Sequence, residues 1–137
     1  MNNHKRVQDR ETPQRFDIRW SFLPKQPLSY KILGVERDLE GAEFHGAHPF
    51  LVWAVDPFNR WVSGIPLTSA CTATGEEKWG VWKHTWARIF VDNKPNMCDV
   101  AQLRLCDRQR ISKKICRLGD FDIQQVSLKL RGTLGLL

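Results

Sequence analysis

Residues 15–24 read Arg15-Phe16-Asp17-Ile18-Arg19-Trp20-Ser21-Phe22-Leu23-Pro24 (RFDIRWSFLP), and the fold class turns on this stretch. Phe16, Ile18, Trp20 and Phe22 alternate with Asp17, Arg19 and Ser21. A period of two marks a strand with one buried and one wet face. The pattern assigns the four apolar side chains to the core and the three polar ones to solvent. Pro24 and Pro27 end the strand. Residues 1–14 are polar, aperiodic and basic (Lys5, Arg6, Arg10), and read as a flexible arm ahead of a single domain spanning 15–137.

Downstream of this strand the pattern stays β-rich. Residues 25–47 form a long connection in which Lys31–Val35 (KILGV) offers a short strand. Such a long connection is commonly functional. His48–Val55 (HPFLVWAV) is a continuous apolar run closed by Asp56-Pro57, as expected of a buried strand. Arg60–Pro66 (RWVSGIP) reads as the next strand and runs into Leu67-Thr68-Ser69. Residues 71–78 read as a loop, Trp79–Val91 as a strand pair, Val100–Leu105 as a short strand and Ile111–Leu118 as the last strand. Asp120 then suits a helix N-cap. Ile123, Val126, Leu130 and Leu134 follow at helical spacing, and Gly135 is placed to stop the helix. The expected fold is mainly β with a C-terminal α-helix: a small, strongly bent sheet or barrel.

The net charge of +6 favours polyanionic partners. The excess lies in the N-terminal arm and in Arg104, Arg108, Arg110, Lys113, Lys114 and Arg117, a stretch that either binds or is simply a solvated face. Six Trp against one Tyr supply core bulk or flat faces for stacking bases. No run approaches the roughly 18 apolar residues that span a bilayer, and the N-terminus lacks a signal-peptide pattern. No membrane association and a cytoplasmic location are therefore expected. Cys71, Cys98, Cys106 and Cys116 form no CxxC pair, so they read as reduced, space-filling thiols rather than zinc ligands.

Phosphate-binding glycine loops, HExxH and GxSxG are absent. Glu36, Asp38, Glu40 and Glu43 share one loop, a poor cage for a metal, so neither metal nor cofactor is expected. What remains is Glu43, His45 and His48 in GAEFHGAHP, Thr68 and Ser69 at a strand end, and Arg104 on a later strand. Metal-free RNA cleavage needs such groups. The ribose 2′-hydroxyl attacks, a base takes its proton, an acid protonates the leaving oxygen, and donors stabilise the pentavalent phosphate. Histidine suits both proton steps. Each residue also has a bland reading, a solvated His or a Thr-Ser pair in local hydrogen bonds. Residue types alone leave an unassigned β-rich domain.

The order of the pieces resembles the MazF/PemK toxin family. RFDIRWSFLP is similar to a family strand written roughly RGDIxWVxLxP. Gly41–Val52 (GAEFHGAHPFLV) is similar to GSEQxGxRPxLVV, and Pro66–Ser69 (PLTS) to PITS. Ala101–Leu118 (AQLRLCDRQRISKKICRL) is similar to a strand like xxQIRTVDxxRLxKKIGxL, and a C-terminal amphipathic helix follows in both. The resemblance runs from Arg15 to the C-terminus. It implies an SH3-like barrel of the MazF/PemK/CcdB type, usually a homodimer. It further implies a metal-independent endoribonuclease acting on single-stranded RNA and restrained by a cognate antitoxin protein. Carried over by position, it implies catalytic roles for His48, Thr68 and Ser69, and RNA contacts at Glu43, His45, Gln102 and Arg104. Two departures stand out. His48 occupies a position usually held by Arg, and Arg is a permanent bidentate cation where His is neither. Residues 25–40 lengthen the first loop. A CcdB-like protein that poisons DNA gyrase and cuts nothing, or a non-catalytic RNA- or protein-binding barrel, are the alternative functions.

Overall fold

A computed structural model describes residues 12–23 and 46–135, together with the backbone of residues 29–32 and 35–38. The basic arm lies almost wholly outside the described residues, as do the side chains of the acidic loop. The described strands are β1 (Asp17–Leu23), β2 (Ser29–Ile32), β3 (Val35–Asp38), β4 (Gly46–Val55), β5 (Trp61–Ser69), β6 (Trp86–Val91), β7 (Lys94–Asp99), β8 (Arg104–Asp107) and β9 (Ile111–Arg117). The helix α1 spans Asp120–Leu134. Seven strands form one antiparallel sheet in the order β6-β7-β5-β4-β1-β9, with β8 joined to β5. The expected mainly-β fold with a terminal helix is the one observed. β2 and β3 pair with each other, so the long connection holds two strands rather than one.

Both faces of the sheet are covered. One core packs Ile18, Leu51, Ile65, Leu67, Ile89 and Cys98 against Val126 and Leu130 of α1. The other packs Leu23, Phe50, Val52, Val62, Cys106 and Ile111. Cys98 and Cys106 pack in these cores, and burial pushes both thiols up, which disfavours the reactive thiolate. The double cover overturns the one-sided reading of β1. Ile18 is buried, but Trp20 and Phe22 on the same face are 44% and 64% exposed, while Asp17, Arg19 and Ser21 are buried. The apolar row runs out beyond its cover, and the opposite row is covered because its polar groups are satisfied. Arg19 Nε donates to the Ser112 carbonyl at 2.8 Å, and its guanidinium and Lys114 both pair with Asp17. Ser21 Oγ donates to the His48 carbonyl at 2.8 Å. A buried charge persists only when paired in this way.

Three further expectations are corrected. The strand pair is not contained in Trp79–Val91. Residues 79–85 are irregular, and β6 pairs with β7 through Asp92-Asn93, both at positive φ (50° and 65°). Two consecutive left-handed residues make the hairpin turn that suits strand twist. Val100–Leu105 is not a strand. Asp99 accepts the Ala101 N–H and starts a 3-10 turn at Val100–Gln102 before β8 begins. Asp120 is not the N-cap either. Gly119 holds that place, and Asp120 and Asp122 fall in the first turn, where the helix dipole favours acid. Gly135 does end the helix, in the left-handed conformation.

Asp122 has the larger role. It is buried, and its carboxylate accepts the Phe90 N–H of edge strand β6 at 3.0 Å. The helix thereby ties down a sheet edge. Asp122→Ala leaves that N–H without its partner and should cost about 1–3 kcal/mol in a urea melt, with Asp122→Asn retaining most of the stability. At the β4–β5 turn Asp56 works similarly: its buried carboxylate takes the Arg60 Nε–H at 2.7 Å and the Arg60 backbone N–H at 3.0 Å. The Arg60 guanidinium holds the Asp56 carboxyl below its ordinary range. Among the described residues no helix is long and apolar enough to cross a membrane.

Candidate active site

His48 and Thr68 meet through strand register. Phe50 pairs with Pro66, Leu51 with Ile65 and Val52 with Gly64. The paired ladder ends at Phe50 and Pro66; the same register carried two residues further would face His48 toward Thr68. Side chains two apart share a face, so both extend the row of Phe50 and Pro66. The His48 ring makes the junction concrete: its Nδ1 lies 3.0 Å from the Leu67 carbonyl, next to Thr68. A carbonyl only accepts, so Nδ1 carries the proton. In the neutral ring the lone pair then belongs to Nε2. The partner of one ring nitrogen thus sets the role of the other. His48 is half-buried, and Ser21 holds its backbone carbonyl from β1. Thr68 is half-buried and lies opposite Met97 of β7.

The other expected residues are distributed differently. Ser69 faces away from Thr68 by strand alternation. Its hydroxyl donates to the Cys71 carbonyl at 2.7 Å and accepts the Cys71 N–H at 3.3 Å, closing a local turn. Gln102 lies in the 3-10 turn, not on a strand, and its side-chain oxygen accepts from Arg104 Nη2 at 2.8 Å. Arg104 pairs with Gly64, four residues along β5 from Thr68. That separation is roughly 13 Å along the strand. Arg104 therefore lies on the same face but not beside Thr68. Glu43 and His45 lie outside the described residues. Among those described, no three His, Cys, Asp or Glu side chains converge closely enough to hold a metal ion.

One neighbour was missed in the sequence. Arg88 of β6 lies opposite Met97 from the other side, so Thr68 and Arg88 flank the same residue. Two strand spacings put them about 10 Å apart on one face. Arg88 pairs with Glu77 and lies 4.8 Å from the ring centre of Trp82. Its alternation with the buried Ala87 and Ile89 was the available signal, hidden by the reading of 79–91 as one pair.

No protein-family profile matches the sequence, and no curated protein sequence does. Solved structures do. A MazF structure from Deinococcus radiodurans aligns with a TM-score of 0.65 at 17% identity, covering 91% of this chain and 98% of that one. An endoribonuclease in complex with its cognate antitoxin, from a mycobacterial species, aligns at 0.59 and 15% identity over 91% and 97% of the two chains. A second mycobacterial endoribonuclease aligns at 0.58 and 13% over 91% and 93%. The chain has the fold of these proteins along nearly their whole length.

Proposed function

We propose that this chain is a toxin-type endoribonuclease that cleaves single-stranded RNA, mRNA included, without a metal. The observation that carries the reading is the His48 ring, held by the Leu67 carbonyl at 3.0 Å, one residue before Thr68 on the same strand. In this reading Nε2 takes the proton of a ribose 2′-hydroxyl as its oxygen attacks phosphorus. The Thr68 O–H donates to a non-bridging phosphate oxygen as charge gathers there. The bond from phosphorus to the 5′-oxygen breaks, and the imidazolium returns its proton to that oxygen. A 2′,3′-cyclic phosphate and a 5′-hydroxyl result, with protons balanced. Ser69 supports the strand end through its turn. Gln102 and Arg104 contact RNA farther along the face, with Glu43 and His45 contributing from the preceding loop. The fold shared with an antitoxin-bound endoribonuclease supports an antitoxin partner. A second copy of this chain completes the proposed assembly as dimer partner. Purified protein should cut an unstructured RNA in excess EDTA; activity that disappears with EDTA and returns with a divalent cation would refute the metal-free reading.

A further inference from the structure

Immediately after Ser69 the chain leaves the sheet in an irregular loop that holds Trp79 and Trp82, and β6 begins with a third tryptophan, Trp86. The loop is well anchored. The Ala70 N–H donates to the Pro95 carbonyl and the Ala70 carbonyl accepts the Lys78 N–H, Cys71 bridges to Glu77, and the Thr85 hydroxyl donates to Asp99. On this base Trp79, Trp82 and Trp86 pack edge to face. Their ring centres lie 5.5–6.4 Å apart, with interplanar angles of 68–87°. Spacings of three and four residues bring the two loop rings against Trp86 at the start of β6.

Two features separate this cluster from an ordinary core. First, an exposed cation lies over each ring: Lys78 over Trp79 at 5.8 Å, Lys83 over Trp86 at 5.9 Å and Arg88 over Trp82 at 4.8 Å. Each indole thus has one face beneath an exposed cation that can swing to a phosphate. Arg88 is also paired with Glu77, but both are solvent-exposed and such pairs rearrange at little cost. Second, the Trp86 indole N–H is buried and, among the described residues, is the side-chain polar atom left with no partner. Native interiors rarely leave such a donor unmatched.

We infer that Trp79, Trp82 and Trp86, with Lys78, Lys83 and Arg88, form a base-stacking subsite for single-stranded RNA on one side of the Thr68 strand end. Flat π faces interleaved with cations bind unpaired nucleotides with little regard to sequence. Arg88 is about 10 Å from Thr68 on the same face, which places the subsite against nucleotides next to the scissile phosphate. The inference rests on the RNA-cleaving reading for its role in catalysis, but its binding component is measured separately.

The test uses the full chain and a labelled, mixed-sequence RNA 12-mer carrying 2′-O-methyl groups throughout, which binds but cannot be cut. Fluorescence anisotropy should show about tenfold or greater weakening for Trp82→Ala, and near-native binding for Trp82→Phe, which keeps a π face. Abasic sites in the 12-mer should weaken the native protein and leave Trp82→Ala nearly unaffected. With cleavable RNA, Trp82→Ala should raise KM and largely spare kcat. A folded Trp82→Ala protein that binds both oligonucleotides like the native chain overturns the subsite and leaves the nuclease reading standing. Tryptophan-dependent binding without any cleavage keeps the subsite and overturns the nuclease reading. Native protein that does not bind the 12-mer overturns the subsite, whatever its cleavage assay shows.

Discussion

Gly64→Val should abolish or nearly abolish stable folding, lowering stability by about 3 kcal/mol or more in urea titration. Gly64 lies in the middle of β5, opposite Val52, in the strand that joins the two halves of the sheet. A Cβ at this position would lie 2.1 Å from the Leu51 carbonyl oxygen and 2.5 Å from Phe50 Cε2. Neither can yield cheaply. The first belongs to the backbone of the neighbouring strand, and the second to a ring that is fully buried in the second core. A valine must therefore part β4 from β5, and those are the strands that bring His48 to Thr68. Loss of activity in this variant would accompany loss of structure, with both read in the same sample. Gly64→Ala should show the same direction with a smaller loss.

The second large effect is the converse, a loss of activity without a loss of structure. His48→Ala should lower kcat/KM on single-stranded RNA by about 10²–10⁴-fold, the usual contribution of a positioned acid–base group. Thr68→Ala should lower it by about 10²–10³-fold, the scale of one donor to a developing charge. Both side chains are half-buried; His48→Ala removes the ring's bond to the Leu67 carbonyl, but β4 stays held by its ladder to β1 and by the Ser21 hydroxyl on the His48 carbonyl. Melting temperatures of both variants should therefore stay near the native value. The double variant should lose little more than His48→Ala, because residues acting on one transition state are not additive. Native-like cleavage by folded His48→Ala protein would remove His48 from the chemistry.

Local patterns made most of the fold legible. The apolar run of β4, the basic–apolar alternation of β9 and the helix ending at Gly135 each follow from short-range chemistry. β7 was hidden because Pro95, Asn96 and Asp99 are poor strand formers, and pairing on both sides overrides that preference. Asp92-Asn93 carried a turn signal, but the Trp-rich residues before it suggested an earlier hairpin. β1 shows the deeper limit. Alternation reports that two faces differ, not which of them is covered along its whole length. Trp20 and Phe22 end up exposed, and Arg19 is buried, because contacts from β9, nearly a hundred residues away, satisfy its guanidinium. For the site, Thr68 and His48 were legible as residues. Their juxtaposition depends on the β4–β5 register, and Arg88 depends on a strand order that no local pattern encodes.

In the proposed mechanism the RNA is broken by attack of its own 2′-hydroxyl. The most direct measurement is the chemistry of the ends formed when purified protein cuts a defined single-stranded RNA in EDTA. Attack by the 2′-hydroxyl gives 5′-hydroxyl and 2′,3′-cyclic phosphate ends, and no cut at a site where the one nucleotide supplying the nucleophile is 2′-deoxy. Fragments with 5′-phosphate and 3′-hydroxyl ends, or cleavage that survives the 2′-deoxy substitution, would contradict it.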